Sequence, residues 1–359
     1  ESTKRLYNYL CDIYGNHILS GQQEYCGSHN YNLYADPDNY IKDNEAEFDY
    51  LMETTGKMCA VRGIDFLNYH SNPSWDDYAA ERTVQWVNEY KGIAAVCWHW
   101  SVPSEEGSDE RNFYVKSASA NYTTFSISKA LEEGTWEHEV LMADIEEIAK
   151  QLKKLKDADA PILWRPLHAE GAWFWWGAEG PEPCKKLYRL LYEQLTNVYG
   201  IDNLIWVWTG YTYPTSSEWY PGDDVVDIVG YDKYNAKDGL PNLSSISSTF
   251  YSLVQSTEGQ KMVAMSENDS IPSLENLLKD KAGWLYFCPW YMNYLTSEQN
   301  NPVENLVEIY NSEYCITLDE LPDLKSYPIS EEQPTTSTSS ESKTVQGDTN
   351  CDGNVDISE

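Results

Sequence analysis

PILWRPLH (161–168), CKKLYRLLYEQLTNVYG (184–200) and NLIWVWT (203–209) follow one another along the chain. The first and third are short runs, apolar on both alternating faces, as strands covered on both sides of a sheet must be. The second has apolar residues at helical spacing and ends on Gly200, a residue suited to the left-handed turn that closes a helix. Strand, helix and strand in succession form a parallel crossover unit.

Six more runs of the same kind lie on either side: HILSGQQ (17–23), CAVRGIDFL (59–67), GIAAVCWHW (92–100), VVDIVGYDKY (225–234), KMVAMSEN (261–268) and WLYFCPW (284–290). LMADIEEIAKQLKKLKDA (141–158) is a further helical segment, with a basic C-terminal half that complements the helix dipole. Eight strand-and-helix units predict an α/β fold, a closed (β/α)8 TIM barrel, over residues 1–324. The polar segment from Ser101 to about Trp136 is long for a loop between strand and helix and is expected to form a wall or lid beside the barrel mouth.

Bulk properties narrow the function. The chain carries 25 Lys+Arg against 58 Asp+Glu, a formal charge of −33. Such a surface repels phosphate backbones and anionic bilayers, so neither nucleic acid nor membrane is an expected partner. The sequence has no apolar run of about 18 residues, the length that spans a bilayer. The polar opening ESTKRLYNYL fits a mature secreted product. Cys59, Cys97 and Cys288 sit inside apolar runs and read as buried thiols, while Cys11 and Cys26 are candidates for pairing. Fourteen Trp and 28 Tyr stand against only 7 Phe. Trp and Tyr join a flat apolar face to a polar handle, which matches the two characters of a sugar ring.

Active sites of such barrels lie at the C-terminal ends of the strands. Those ends offer Gln22 and Glu24, Asp65, His99, His168 and Glu170, Asp232 and Tyr234, Glu267 and Trp290. Cleaving a glycosidic bond needs one carboxylic acid to protonate the leaving oxygen and a second carboxylate at the anomeric carbon. Glu267 ends an apolar strand, where a carboxylate is costly unless it faces a cleft with partners. Arg165 lies within a strand and could hold such a carboxylate ionised; Tyr234 could donate to it. No HxH, HExxH or paired-Cys spacing points to a metal at the mouth.

WRPLHAEGAWFWWG, CWHWSVP, VDIVGYDKY and MSEND together resemble glycoside hydrolase family 26, mostly endo-β-1,4-mannanases. The resemblance runs from about ILSGQQ to CPWYMNY. It implies a retaining hydrolase without a catalytic cofactor, acting on β-mannan, with the acid/base after strand 4 and the nucleophile after strand 7. Glu267 matches the nucleophile and Tyr234 the Tyr bonded to it, with Asp232 two residues earlier. His99, His168 and Trp173 match residues lining the site, and Trp290 resembles the Trp beneath the sugar. One departure stands out. The family pattern is His-Glu-x-x-Gly-x-Trp, whereas this chain has His168-Ala169-Glu170-Gly171-Ala172-Trp173, one residue shorter. Either Glu170 takes the acid/base role or that group is missing. The alternatives are a mixed-linkage β-glucanase or xylanase on the same scaffold, or a carbohydrate-binding protein that has lost its acid.

Beyond Leu324 the composition shifts. Residues 325–346 are rich in Ser, Thr, Pro and Glu and read as a linker. The chain closes with DTNCDGNVDISE (348–359). Asp348, Asn350, Asp352, Asp356 and Glu359 fall at the ligand positions of a twelve-residue Ca2+ loop, with Gly353 at its turn. The loop resembles the first half of a dockerin, so residues 347–359 are expected to be a partial module. A complete one would dock on the cohesin of a scaffoldin. A secreted monomer acting on a plant polysaccharide is the expectation.

Overall fold

The structure, a computed structural model, describes residues 1–25, 40–41, 45–71, 76–168 and 173–329. Eight parallel strands form one sheet: β1 (Gly21–Gln23), β2 (Val61–Asp65), β3 (Ile93–Trp98), β4 (Ile162–Pro166), β5 (Leu204–Thr209), β6 (Ile228–Lys233), β7 (Met262–Asn268) and β8 (Phe287–Pro289). Each falls inside one of the apolar runs. Their spatial order is their chain order. Leu19, just before β1, bridges in parallel to Tyr286, just before β8, so the first and last strands meet and the barrel closes. The (β/α)8 expectation is therefore correct.

Closure depends on a close approach of two backbones. A Cβ on Gly21 would lie 2.1 Å from the carbonyl oxygen of Phe287, so only glycine fits at this seam. Gln22 reinforces it, donating from Nε2 to the carbonyl of Pro289 at 3.2 Å.

The helices pack outside. They include α1 (Ser2–Ile13), α2 (Ala46–Thr55), α3 (Ala79–Asn88), α4 (Trp136–Asp157), α5 (Pro181–Tyr192), α6 (Ser247–Ser256), α7 (Leu274–Asp280) and α8 (Val303–Tyr310). The α4 helix starts before the expected residue 141. Its first turn sets Trp136 among the polar residues Glu137, His138 and Glu139, so apolar spacing alone does not reveal it. Thr135 fixes the start by accepting from the His138 amide at 3.1 Å, with Glu137 and Glu139 favouring the positive end of the dipole. The α5 helix continues as a π-helix over Glu193–Val198, and Gly200 at φ 66° turns the chain away as expected. No helix among the described residues is long and apolar enough to cross a membrane.

Cys59, Cys97 and Cys288 are buried and take part in no disulfide. Cys11 is disulfide-bonded; its expected partner Cys26 lies outside the described residues. The packed chain continues past Leu324: Tyr327 packs edge-on against Tyr9 of α1 at 5.2 Å and donates to Asp12 at 2.7 Å. The Ca2+ ligands named above, Asp348, Asn350, Asp352, Asp356 and Glu359, lie outside the described residues, as does Glu170.

Gly21→Ala should destabilise the barrel by about 1–3 kcal/mol or more, because the added methyl meets a backbone carbonyl rather than a movable side chain. An unchanged urea midpoint would show that the seam can open at little cost.

Candidate active site

The side chains at the mouth are set by strand alternation, which puts residues two apart on one face. Asp232 and Tyr234 share a face in and just after β6, and Cys97 and His99 do so in and just after β3. Glu267 in β7 pairs in register with Asp232, and the register shifts between Ala264 and Glu267. Such an irregularity re-aims the side chain that follows it.

Arg165 of β4 is buried between two carboxylates. Its Nη1 lies 3.1 and 3.2 Å from the two oxygens of Asp232, and its Nη2 lies 2.6 Å from Oε2 of Glu267. The Tyr234 hydroxyl donates to Oε1 of Glu267 at 2.6 Å. Both oxygens of Glu267 thus have donors and the carboxylate is fixed in orientation. Ser266 donates to Asp232 at 3.1 Å. Burial, together with the charge of Glu267, pushes the Asp232 carboxyl up to about 7 against the opposing pull of Arg165. Burial and the charge of Glu267 also hold the Tyr234 hydroxyl well above its ordinary range, so it stays a donor.

A second group lies beside the first. Nδ1 of His99 is 2.6 Å from Oδ2 of Asp65, and Oδ1 of the same carboxylate accepts from the His99 amide at 3.1 Å. Nε2 of His99 faces Nε2 of His168 at 3.0 Å, with the rings edge to face. Below them the tryptophans are tied down: Trp176 donates to the carbonyl of His168 at 3.0 Å and Trp175 to that of Trp100 at 2.7 Å. Trp100 in turn donates to Asp144 at 2.8 Å. This explains the density of Trp in WFWWG, where two of three rings are buried struts and Trp173, 42% exposed, is the one left facing out.

These groups line a cleft of about 240 Å³ bounded by His99, Tyr114, His168, Trp173, Phe174, Tyr211, Asp232, Tyr234, Glu267, Trp290 and Tyr294. His99, His168, Trp173, Asp232, Tyr234, Glu267 and Trp290 are brought together there, whereas Gln22, Glu24 and Asp65 do not line it. Tyr114 comes from the Ser101–Trp136 segment, which begins as a hairpin, Val102–Pro103 against Arg111–Asn112, and does form a wall. Tyr114, Phe174, Tyr211 and Tyr294 were not foreseen. Tyr114 follows the hairpin and Tyr294 sits in a short helix, Asn293–Thr296, and the approach of either to the mouth has no local signal. Two strand-end candidates have other tasks. Glu24 is held in buried ion pairs by Arg62 at 2.8 Å and Arg82 at 2.7 Å, and Gln22 serves the seam. Asp65, Cys97 and His99 present possible metal-ligating atoms within 4.8 Å of one another. Asp65 and His99 already bond each other, and the guanidinium of Arg165 lies close enough to act on Cys97 and His99.

Arg165→Met would leave Asp232 and Glu267 buried together without a cation. The expected loss of stability at pH 7 is about 3–5 kcal/mol. Asp232 already binds its proton more tightly in the fold than in the unfolded chain, so without Arg165 the fold is relieved by taking up a proton. The deficit should therefore shrink as pH falls from 7 toward 4. An equal deficit at both pH values in urea unfolding would mean the two carboxylates do not repel.

The glycosyl hydrolase family 26 model matches residues 1–320. A mannan endo-1,4-beta-mannosidase of Thermothelomyces thermophilus is 36% identical over 330 residues, covering 89% of this chain and 61% of that protein. Mannan endo-1,4-beta-mannosidase B of a Piromyces species is 33% identical, covering 89% of this chain and 52% of its own. This chain thus spans between about half and three-fifths of the length of those two relatives. Among solved structures, a ruminal endo-beta-1,4-mannanase of the same family superposes with a TM-score of 0.82 at 38% identity, over 92% of this chain and 69% of that one. A beta-mannanase from a symbiotic protist of the termite Reticulitermes speratus, complexed with gluco-manno-oligosaccharide, gives 0.77 at 32% identity over 88% and 93%. A family match over nearly all the described residues, with Glu267, Tyr234, Arg165 and the histidine pair at one barrel mouth, makes this chain a member of glycosyl hydrolase family 26.

Proposed function

We propose that the protein is a retaining endo-β-1,4-mannanase. The observation that carries this reading is the carboxylate of Glu267, oriented by Arg165 and Tyr234 at the floor of an aromatic cleft. The relatives named above, mannanases by name, support mannan as substrate. Glu267 attacks the anomeric carbon as the bond to the leaving oxygen breaks, and that oxygen takes a proton from a second carboxylic acid. Water then displaces Glu267, giving its proton to the same group. No cofactor takes part. Trp290 and Trp173 supply flat faces for sugar rings, and His99, His168 and Asp232 line the reacting subsite.

The second carboxylate is assigned to Glu170. A rival reading rests on the length of the motif. With one residue fewer than the family pattern between His168 and Trp173, Glu170 stands where the family has a non-catalytic residue, and the chain binds mannan but turns it over slowly. The disulfide at Cys11 supports export to an oxidising compartment, hence a secreted enzyme. The sequence 348–359 supports a Ca2+-binding loop of the dockerin kind, and so a cellulosomal system, in which a complete module would meet a cohesin. A monomer fits a polymeric substrate.

Glu267→Ala should lower mannan hydrolysis by roughly 10⁴-fold or more while leaving the melting temperature near that of the parent. Retention of a tenth of the activity would remove Glu267 from the role. For the acid, the decisive comparison is the parent against Glu170→Ala on mannan and on a dinitrophenyl mannoside, whose leaving group departs without protonation. If Glu170 is the acid/base, the variant loses mannan hydrolysis, keeps most of the aryl glycosylation step, and gains turnover with azide. If the acid is missing, the parent already behaves this way and recovers when Glu is inserted between His168 and Ala169.

A further inference from the structure

Tyr234 is 44% exposed, yet its hydroxyl sits 2.6 Å from Oε1 of Glu267. Burial does not hold such a ring, so the fastening of its backbone decides how well that bond is kept. Tyr234 opens the segment after β6, which runs over the surface to a turn closed between Lys237 and Leu240. Two fastenings, one on either side of Tyr234, lead to a single residue. Asp269 lies two residues beyond Glu267, just past the end of β7. Its Oδ2 accepts from the Ala236 amide at 2.7 Å, and its Oδ1 faces Nζ of Lys233 at 3.4 Å. Its own amide donates to the Lys233 carbonyl at 2.9 Å.

Lys233 completes the joint from beneath. Its side chain is fully buried, and its three N–H groups meet three acceptors: the carbonyl of Asn242 at 2.8 Å, that of Ser270 at 2.9 Å, and Asp269. Asn242 ties down the far end of the segment, its amide donating to Oγ of Ser270 at 3.1 Å. The residues after β7 are held in turn. Asn301 donates to the Asp269 carbonyl at 2.8 Å and accepts from the Ile271 amide at 2.8 Å. Asn301 also reaches the carbonyl of Tyr294, whose ring meets that of Tyr234 edge-on at 5.4 Å. Burial pulls the Lys233 ammonium down to about 8 in spite of the facing carboxylate. Replacing a buried ion pair by apolar side chains of similar volume is often neutral or stabilising, so stability alone does not account for this one. What an ammonium supplies and an apolar side chain does not is direction, here three bonds to three fixed oxygens.

We infer that the Lys233–Asp269 pair is a positioning unit for the reaction: it joins the end of the strand carrying Glu267 to the segment carrying Tyr234, and so keeps the Tyr234 hydroxyl on Glu267. Neither residue lines the cleft, so the pair acts through Tyr234 and not on a sugar. The lever is short. Asp232 and Glu267 are register partners, as are Lys233 and Asn268, so the joint begins one residue beyond the buried acids on each strand. Its role toward Glu267 rests on the proposed double displacement, whereas the fastening itself does not, and the test separates the two.

The first arm needs no turnover. In the parent labelled with 3-fluorotyrosine, the ¹⁹F signal of Tyr234, identified by its loss in Tyr234→Phe, should be a single narrow line. The Ala236 amide should exchange with solvent far more slowly than a free amide. Asp269→Asn and Lys233→Met should shift or broaden the Tyr234 line. A line averaged by motion in the parent, or an Ala236 amide exchanging at the free rate, would overturn the proposal without any variant needing to fold. The second arm is a kinetic cycle on β-mannan. Tyr234→Phe should lower kcat roughly 10- to 100-fold, the size of one charge-assisted hydrogen bond. Asp269→Asn and Lys233→Met should each lower kcat roughly 10-fold with KM held within a factor of about two, as misplacement of a positioned group does. In the Tyr234→Phe background each should change kcat by less than about twofold, because the bond they serve is already gone. Losses that multiply with that of Tyr234→Phe, or a fall in Tm with kcat unchanged, would reduce the pair to a structural role and overturn the inference. If the parent cleaves another β-glycan in place of mannan, the cycle is run on that glycan, since the inference concerns Glu267 and not the sugar. If Glu267→Ala keeps its activity, the functional reading falls and the first arm alone judges the joint.

Discussion

Arg165 is the one cation shared by the two carboxylates at the floor of the cleft, and the rest of the mouth is arranged about it. A guanidinium can do this where an ammonium cannot: its planar fork offers separate N–H groups to Asp232 on one arm and Glu267 on the other. The strands supply the geometry. Glu267 and Asp232 are register partners on β7 and β6, and Arg165 reaches them from β4 across the barrel interior. The arrangement puts two acids in one buried place and gives them different surroundings. Asp232 has Arg165 and Ser266 as partners, and its carboxyl rises to about 7. Glu267 has Arg165 on one oxygen and a tyrosine hydroxyl on the other. Pairs of titratable groups set in contrasting environments are how a site divides labour between two side chains of one chemical type.

The barrel was legible because its evidence is local. Each strand is a run of apolar residues in one stretch of chain, and the number of runs decides between an open sheet and a closed one. Glu267 was legible for the same reason: a carboxylate at the end of MVAMS has few explanations other than a cleft. Tyr234 and Asp232 follow from their place at the end of the neighbouring run. What could not be read is what depends on distance between separate elements. The contact of Tyr114 with Phe174 joins a hairpin after β3 to the motif after β4, and nothing in either stretch announces the other. Glu24 shows the converse. It ends a strand run like the residues that line the cleft, yet Arg62 and Arg82 take both its oxygens, and Arg82 comes from a helix far along the chain.

The aromatic content divides between structure and surface in a way composition alone conceals. Trp98 and Trp100 stack at 4.2 Å, Trp175 meets Trp100 edge-on, and all three are buried. Their indole N–H groups are used inside the protein, by Tyr69 carbonyl, Asp144 and the Trp100 carbonyl respectively. Trp173 and Trp290 differ in keeping a face toward the cleft. The buried set fixes the walls; the other two line the cleft. The proposed function draws on both, because stacking on a pyranose ring gains little if the aromatic plane must first be ordered.

The histidine chain extends the logic of Arg165 to the opposite wall. There too a buried carboxylate holds a basic group: Asp65 lies 2.6 Å from Nδ1 of His99, whose Nε2 meets that of His168 at 3.0 Å. Asp65 and Arg165 therefore do related work by different means. Arg165 holds Glu267 in one orientation at every working pH, since its own proton is held well above the ordinary range by Asp232 and Glu267 in spite of burial. Asp65 fixes His99 instead through two contacts, one oxygen at its ring nitrogen and the other at its backbone amide. Each wall of the mouth thus has a buried charged partner behind a group that lines the cleft. That is why the strand-end residues alone, read as a row of polar side chains, identify the mouth of the barrel but not which atoms donate and which accept.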